Sequence, residues 1–200
     1  DQAFVFSGDE MRALVMSAHH PELRRKTSAF TRLMTAAGAK TGFTSRPGLV
    51  RAASHLYLPL GKNITIIGAE LVGLELAEFL AERGRNVTVI DNASRAGKGL
   101  YLVRRMRILE ELRHLDVAII NKASDIAIGS QDVNYTNYRG QRRAIGADNV
   151  IVAQGATGDT RLAETLTAAG FSTHSIGDST GVTYIEGAME SAAELAAQFA

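Results

Sequence analysis

Residues 61–91, GKNITIIGAELVGLELAEFLAERGRNVTVID, constrain the fold of this chain more than any other stretch. Asn63–Ile67 is β-branched almost throughout, as a strand buried on both faces should be. Gly68 follows as a turn residue. Residues 70–83 then read as a helix, with Gly84 as its terminating glycine and residues 87–90 as a second strand. Val72, Leu76, Phe79 and Leu80 fall at i, i+4, i+7 and i+8 and are predicted to form the apolar face of that helix. Strand, glycine turn, helix and a second strand ending on an acid is the layout of a dinucleotide-binding βαβ unit. One residue departs from it, because the middle glycine of G-x-G-x-x-G is Glu70.

The chemistry of such a turn rests on the unpaired N–H groups and partial positive charge of a helix N-terminus, which bind phosphate if the backbone can come close. Gly68 would make the tight turn, and Gly73 would let the helix pack on the strand. Glu70 brings bulk and like charge to the place where pyrophosphate would touch the backbone, although an acid there also suits an empty helix terminus. Two readings therefore stand: a nucleotide site with Glu70 swung outward, or a retained scaffold whose site is weak or empty. Asp91 ends the second strand, where an acid accepts hydrogen bonds from the adenosine ribose and repels a 2′-phosphate. This favours NAD over NADP, with Arg95 nearby as a counter-argument.

Before this unit the chain reads as irregular, with helices expected at residues 9–18, 23–37 and 46–57. A chain that starts at Asp1, with sixty residues unlike a domain beginning, is expected to be a piece of something longer. After the unit come a helix over 100–112, a third strand over 117–120, and a small antiparallel meander over 125–146. A strand over 149–153 leads to Gln154-Gly155, a helix is expected over 161–169, and a last strand over 173–176 closes on Gly177-Asp178. Residues 184–200 read as an Ala-rich helix whose small residues would pack closely on a sheet, on a face with Ile185, Met189 and Phe199.

Two hundred residues at 46% hydrophobic suffice for a real core. A net charge of +1 gives no reason to expect nucleic acid or an anionic membrane as partner. The absence of cysteine excludes a disulfide, a thiol redox centre or Fe–S ligation within this chain. No apolar run approaches the roughly 20 residues of a membrane span, so a cytoplasmic setting is expected. His19-His20 lack partner ligands at metal spacing, so no metal site is expected. The basic runs at 24–26 and 104–107 read as exposed helix faces, and no G-x-S-x-G elbow supports a hydrolase.

The motifs together carry a family likeness. GAELVGLELA from Gly68 resembles the G-x-G-x-x-G-x-E-x-A pattern of the NAD(P)H-binding domain in flavoproteins with two dinucleotide-binding domains. NVIVAQG over 149–155 resembles the strand and turn that close such a domain, and THSIGD over 173–178 resembles the late FAD motif. YIEGAM over 184–189 resembles the helix that follows it. Over about residues 60–199 the chain is similar to the C-terminal half of the NADH:flavin oxidoreductases related to old yellow enzyme, such as 2,4-dienoyl-CoA reductase and trimethylamine dehydrogenase.

The resemblance implies an α/β, Rossmann-like three-layer FAD/NAD(P)-binding fold with a parallel sheet and a small antiparallel meander. It divides the chain into a helical lead-in at 1–60, an NAD(P)-binding domain at 61–157 and a C-terminal segment at 158–200. By likeness, Gly68, Ala69 and Gly73 would surround the pyrophosphate of NAD(P)H, with Glu70 beside them. Glu75 would lie near the nicotinamide end, Asp91 at the ribose and Gly155 at the cofactor cleft. Gly177 and Asp178 would face FAD held largely by a segment absent from this chain. The implied partners are that segment and a TIM-barrel FMN domain, with a homo-oligomer left open. The implied chemistry is hydride transfer from NAD(P)H to FAD, for which no residue here is named as catalytic. The alternative is a non-catalytic Rossmann module that binds adenine nucleotide weakly or not at all.

Overall fold

The computed structural model describes residues 2–15, 23–27, 48, 54–55, 57–155, 158–182 and 184–199. They fall into two compact units, Asp1–Gln154 and Gly155–Ala200.

The larger unit is built on a five-stranded, wholly parallel sheet of order β1-β8-β2-β3-β4. Its strands are β1 (Val5–Ser7), β2 (Asn63–Ile67), β3 (Asn86–Ile90), β4 (Ala118–Ile120) and β8 (Asn149–Val152). Ile64, Ile66, Val89, Ile90, Val150 and Ile151 are almost wholly removed from water, as β-branched strands covered on both faces require. Asn63, the first residue of β2, is exposed. β1 is a strand where the sequence reading placed none. Its edge position and three-residue length leave too short a run for alternation to register.

The chain leaves β1 directly into helix α1 (Gly8–Val15) through a reciprocal capping box. The Ser7 N–H donates to Glu10 Oε2 at 2.8 Å, and the Glu10 N–H donates to Ser7 Oγ at 3.1 Å. Glu10 is buried and also accepts from Lys26 Nζ at 2.7 Å, where Lys26 ends the short helix α2 (Leu23–Lys26). The expected helices at 9–18 and 23–37 run beyond these elements into residues outside the described set. Of the one expected at 46–57, Gly48, Ser54 and His55 are described as helical.

Helix α3 (Leu71–Ala81) connects β2 to β3. It buries Gly73, Leu74, Ala77 and Leu80, while Leu76 and Phe79 are only partly buried and Val72 is 52% exposed. The expected face is thus rotated. A Cβ on Gly73 would lie 2.0 Å from the Gly68 carbonyl oxygen, so the side of the helix pressed to the sheet is the one that carries Gly73. Ala77 and Leu80 share that side, and Val72 turns outward. Gly84 ends the helix at φ 72°, as expected. Helix α4 (Leu102–His114) buries Ile108 and Leu112.

Between β4 and β8 lies the expected meander: β5 (Ser124–Ile128), β6 (Asp132–Thr136) and β7 (Arg142–Gly146), antiparallel in that order. Val133 is fully buried against a second apolar cluster that includes Ile67, Ile90 and Val150.

The smaller unit contains α5 (Arg161–Ala168), a 3-10 turn (Gly177–Ser179) and α6 (Tyr184–Ala196), and neither helix has a buried residue. The strand expected at 173–176 does not form. Among the described residues this unit has no strand to pair with it, and Thr173 instead bonds to α5, to Thr167 and to the Ala163 carbonyl. In α6, Ile185 is 83% and Met189 68% exposed.

Candidate functional site

At the carboxyl end of β2 the chain makes a turn that only glycine permits. Gly68 has φ 120°, and a Cβ there would lie 2.3 Å from the carbonyl oxygen of Ala153 at the end of β8. Its N–H donates to the Ile90 carbonyl at 2.9 Å, which locks the turn to the end of β3. With Gly73 pressed on Gly68 from the other side, strand and helix approach at backbone contact. The two outer glycines of the fingerprint do the steric work expected of them.

Glu70 stands at the N-cap of α3 with φ −85° and ψ −175°, an ordinary extended conformation. The turn needs no glycine there. The Glu70 side chain is exposed and caps none of the helix N–H groups, while its carbonyl accepts from Leu74 N at 3.0 Å. The first-turn amides of Leu71, Val72 and Gly73 therefore have neither an intrahelical acceptor nor this carboxylate as a cap.

Asp91 is bound into the same turn. Its carboxylate accepts from the Ala69 N–H at 2.6 Å through one oxygen and from the Ala93 N–H at 2.7 Å through the other. A carboxylate offers about four lone-pair sites, so about two remain for hydroxyl donors. The Ala69 carbonyl accepts from Gly97 N at 2.7 Å, and Arg105 Nε donates to the Ala96 carbonyl at 2.7 Å. The loop after β3 is thus fastened to the glycine turn on one side and to α4 on the other. Arg95 is exposed in that loop.

Glu75 lies one turn further along α3 and pairs with Arg104 of α4 at 2.5 Å, both side chains about half exposed. The sequence reading discounted Arg104 and Arg105 as a solvated face. The helix spacing of α3 and α4 alone does not show that one reaches Glu75 and the other the loop backbone. Gly155 has φ 73° and is exposed. Gly177 has φ 64° and donates its N–H to Ser191 Oγ at 2.9 Å, with exposed Asp178 next to it in the 3-10 turn. Gly68, Ala69, Glu70, Gly73 and Asp91 are therefore gathered at one point. Glu75 is tied to a neighbouring helix, and Gly155, Gly177 and Asp178 belong to the smaller unit. His19-His20 lie outside the described residues, among which no group of His, Asp or Glu is arranged to hold a metal. Among them also, no helix is long and apolar enough to cross a membrane.

A parallel sheet whose central strand turns through glycine into a helix, with a strand-end carboxylate bonded back to that turn, defines a dinucleotide-binding α/β domain. The chain belongs to the pyridine nucleotide-disulphide oxidoreductase family, whose profile matches residues 5–180. It is 30% identical over 106 residues to bilirubin reductase of Mediterraneibacter gnavus, a stretch covering 53% of this chain and 16% of that protein. It is 30% identical over 103 residues to the nitric oxide reductase FlRd-NAD(+) reductase of Escherichia coli, covering 51% and 27% respectively. The matched stretch is therefore little more than a quarter, at most, of these relatives' lengths. Among solved structures, 2-naphthoyl-CoA reductase superposes with a TM-score of 0.61 at 26% identity, over 67% of this chain and 20% of that one. Histamine dehydrogenase from Rhizobium sp. 4-9 superposes at 0.59 and 23% identity, over 68% and 22%, and shares the fold.

Proposed function

We propose that this chain is the pyridine-nucleotide-binding portion of a flavin-dependent oxidoreductase related to the old yellow enzyme type. The observation that carries this reading is the glycine turn itself. Both outer glycines are demanded by backbone contacts of 2.0–2.3 Å, and the first-turn amides of α3 are left uncapped. Packing accounts for the glycines, and the uncapped amides beside them fit a pyrophosphate. When bound, NAD(P)H supplies a hydride and FAD accepts it.

In this reading residues 61–157 hold the nucleotide, residues 1–60 lead into them, and residues 158–200 carry the late flavin segment. The amides behind Gly68, Ala69 and Gly73 receive the pyrophosphate. Asp91 turns its remaining lone pairs to the ribose hydroxyls, which favours NADH over NADPH. Glu75 serves the nicotinamide end, held by Arg104. Gly155 lies along the nucleotide cleft, and Gly177 and Asp178 serve the flavin side. The likeness to 2-naphthoyl-CoA reductase, itself matched over only a fifth of its length, supports placing this portion within a larger protein, and the resemblance to the old yellow enzyme type points to an FMN-bearing domain in it.

A second reading rests on Glu70. Its charge at the N-cap opposes a phosphate, at a cost of about 1 kcal/mol for a solvated charge pair 4 Å apart. In that reading the module is a scaffold with a weakened site. Calorimetric titration of the chain with NADH and NADPH, beside Glu70→Gly, separates the two. The proposal expects NADH to bind the native chain more tightly than NADPH, and Glu70→Gly to tighten it about fivefold, the equivalent of that ~1 kcal/mol. Binding by the variant alone favours the scaffold reading. Binding by neither contradicts the proposal.

A further inference from the structure

The meander has two edges, and they differ. β5 is irregular: its register with β6 shifts between Ser124 and Ala127, and Asp125 has φ 50°. Such a bulge turns an edge away from further pairing. β7 is regular across all five residues, Arg142–Gly146, and four of the five are exposed. The hydrogen bonds from Asn137 N to Gln141 O and from Ala147 N to Gln131 O fix the alternation along this strand. Arg143 and Ile145 bond inward to β6, so the backbone groups of Arg142, Ala144 and Gly146 face outward, where no strand among the described residues pairs with them.

The charge on this edge is one-sided. From Val133 to Ala147 the sequence holds Arg139, Arg142 and Arg143 and no acid. Some exposed arginines elsewhere are paired with carboxylates, as in Arg104–Glu75, Arg113–Glu110 and Arg161–Asp159, while Arg95 and Arg107 stand singly among the described residues. Among the described residues none of the three meander arginines has a carboxylate partner. Arg139 bonds to the Tyr138 hydroxyl and Arg143 to the Gln141 side chain. Across the meander lies a groove of about 190 Å³ lined by Asp125 and Ala127 of β5, by residues of β6, and by Arg142 and Arg143 of β7. That is below the roughly 300 Å³ at which small-molecule sites begin, and it suits single side chains.

We propose that β7 is a docking edge for an extended acidic segment of a partner protein. The segment adds a strand along Arg142–Gly146 and sets its carboxylates against Arg139, Arg142 and Arg143. A second copy pairing antiparallel through Ala144 would set Arg142 against Gly146 and bring no carboxylate to the arginines, so it answers the charge of this edge less well than an acidic segment does. The overall charge of +1 gives no general attraction for nucleic acid.

The test is fluorescence anisotropy of the chain with a fluorescein-labelled peptide of alternating glutamate and valine. The matching lysine–valine peptide, an oligodeoxythymidine and phosphatidylserine vesicles serve as controls. The expected result is saturable binding of the acidic peptide alone, weakened by salt. Binding should fall about tenfold in the Arg142→Glu, Arg143→Glu double variant, as for lost charge pairs at a docking surface. It should fall comparably in Ala144→Pro, which removes an outward N–H while the ladder to β6 stays intact. Amide resonances of Arg142, Ala144 and Gly146 should shift on binding. The charge variant carries the test if proline disturbs the hairpin. No binding of the acidic peptide, or binding indifferent to the arginines, overturns the proposal. Oligodeoxythymidine or vesicle binding that needs the arginines but not the Ala144 N–H overturns it in favour of phosphate recognition.

Discussion

The turns at Gly68 and Gly177 both carry a glycine at positive φ next to a helix, yet their surroundings are unlike. At Gly68 an added Cβ meets the carbonyl oxygen of Ala153 at 2.3 Å, with two strands and a helix converging on one point. At Gly177 the nearest atom is the Ala188 Cβ at 3.3 Å, and the turn is held by the bond from its N–H to Ser191 Oγ and by bonds from Thr180 to the Gly177 carbonyl. The first turn sits in a core where Leu74, Ala77, Leu80 and Val89 are fully buried. The second sits between helices that bury nothing. Backbone contact makes the first glycine irreplaceable by packing, whereas at the second a left-handed backbone is joined by a single close side-chain neighbour, the Ala188 Cβ. The difference teaches where this chain is self-sufficient: its Gly68 turn is complete within the larger unit, while its Gly177 turn rests on contacts between helices that bury no residue.

This contrast can be broken. Gly68→Ala adds a steric clash to a strained φ, and a loss of about 4 kcal/mol in urea denaturation of the larger unit is expected. A loss below about 1 kcal/mol would mean that the turn relaxes and that backbone contact does not dictate it. Gly177→Ala meets left-handed strain of about 1–2 kcal/mol together with a tight approach to the Ala188 Cβ at 3.3 Å. Hydrogen exchange should place that loss in α6 and leave β2 and β3 unchanged. A loss spread over both units would contradict their independence.

The smallest effects are those of exposed ion pairs, one in each unit. The hydrogen bond from Arg113, helped by the charges of Arg113 and His114, holds the Glu110 carboxyl below its ordinary value of 4.5. The hydrogen bonds from the Arg161 side chain and backbone do the same for Asp159 below 3.8. With folded values lowered, each pair's contribution is present above the unfolded pKa and is lost as pH falls through the folded one. The window thus lies in the acid range for both. Carboxyl resonances followed through a pH titration should show both depressions, with no stability change resolvable above pH 6. Ordinary values would show that the pairs do not persist in water.

The sequence made the βαβ core legible because its signals are local. A β-branched run, a glycine turn and Gly84 each dictate a conformation without reference to the rest of the chain. The meander was legible for the same reason. What was hidden depended on three dimensions. The rotation of α3 follows from Gly73 touching Gly68, and a count of apolar residues on a helical wheel placed Val72 inside instead. β1 was missed although Ser7-x-x-Glu10 is a capping signature, which marks where an element ends and α1 begins. The strand at 173–176 failed because alternation in a sequence does not supply a neighbouring strand. At the site, Gly68, Gly73 and Asp91 were readable from spacing, but the bond from Ala69 to Asp91 was not. The harmless backbone of Glu70, read as a departure, became clear only from its φ and ψ.

The central claim is that the phosphate-cradling turn remains open for business beside Glu70. The most direct measurement is a two-dimensional amide spectrum of the native chain titrated with ADP-ribose, which carries the pyrophosphate and ribose without nicotinamide or flavin. The account predicts saturable shifts largest at Ala69, Leu71, Val72 and Gly73, with Ala93 following through Asp91. A spectrum unchanged at millimolar ligand, or shifts confined to another part of the chain, would contradict it.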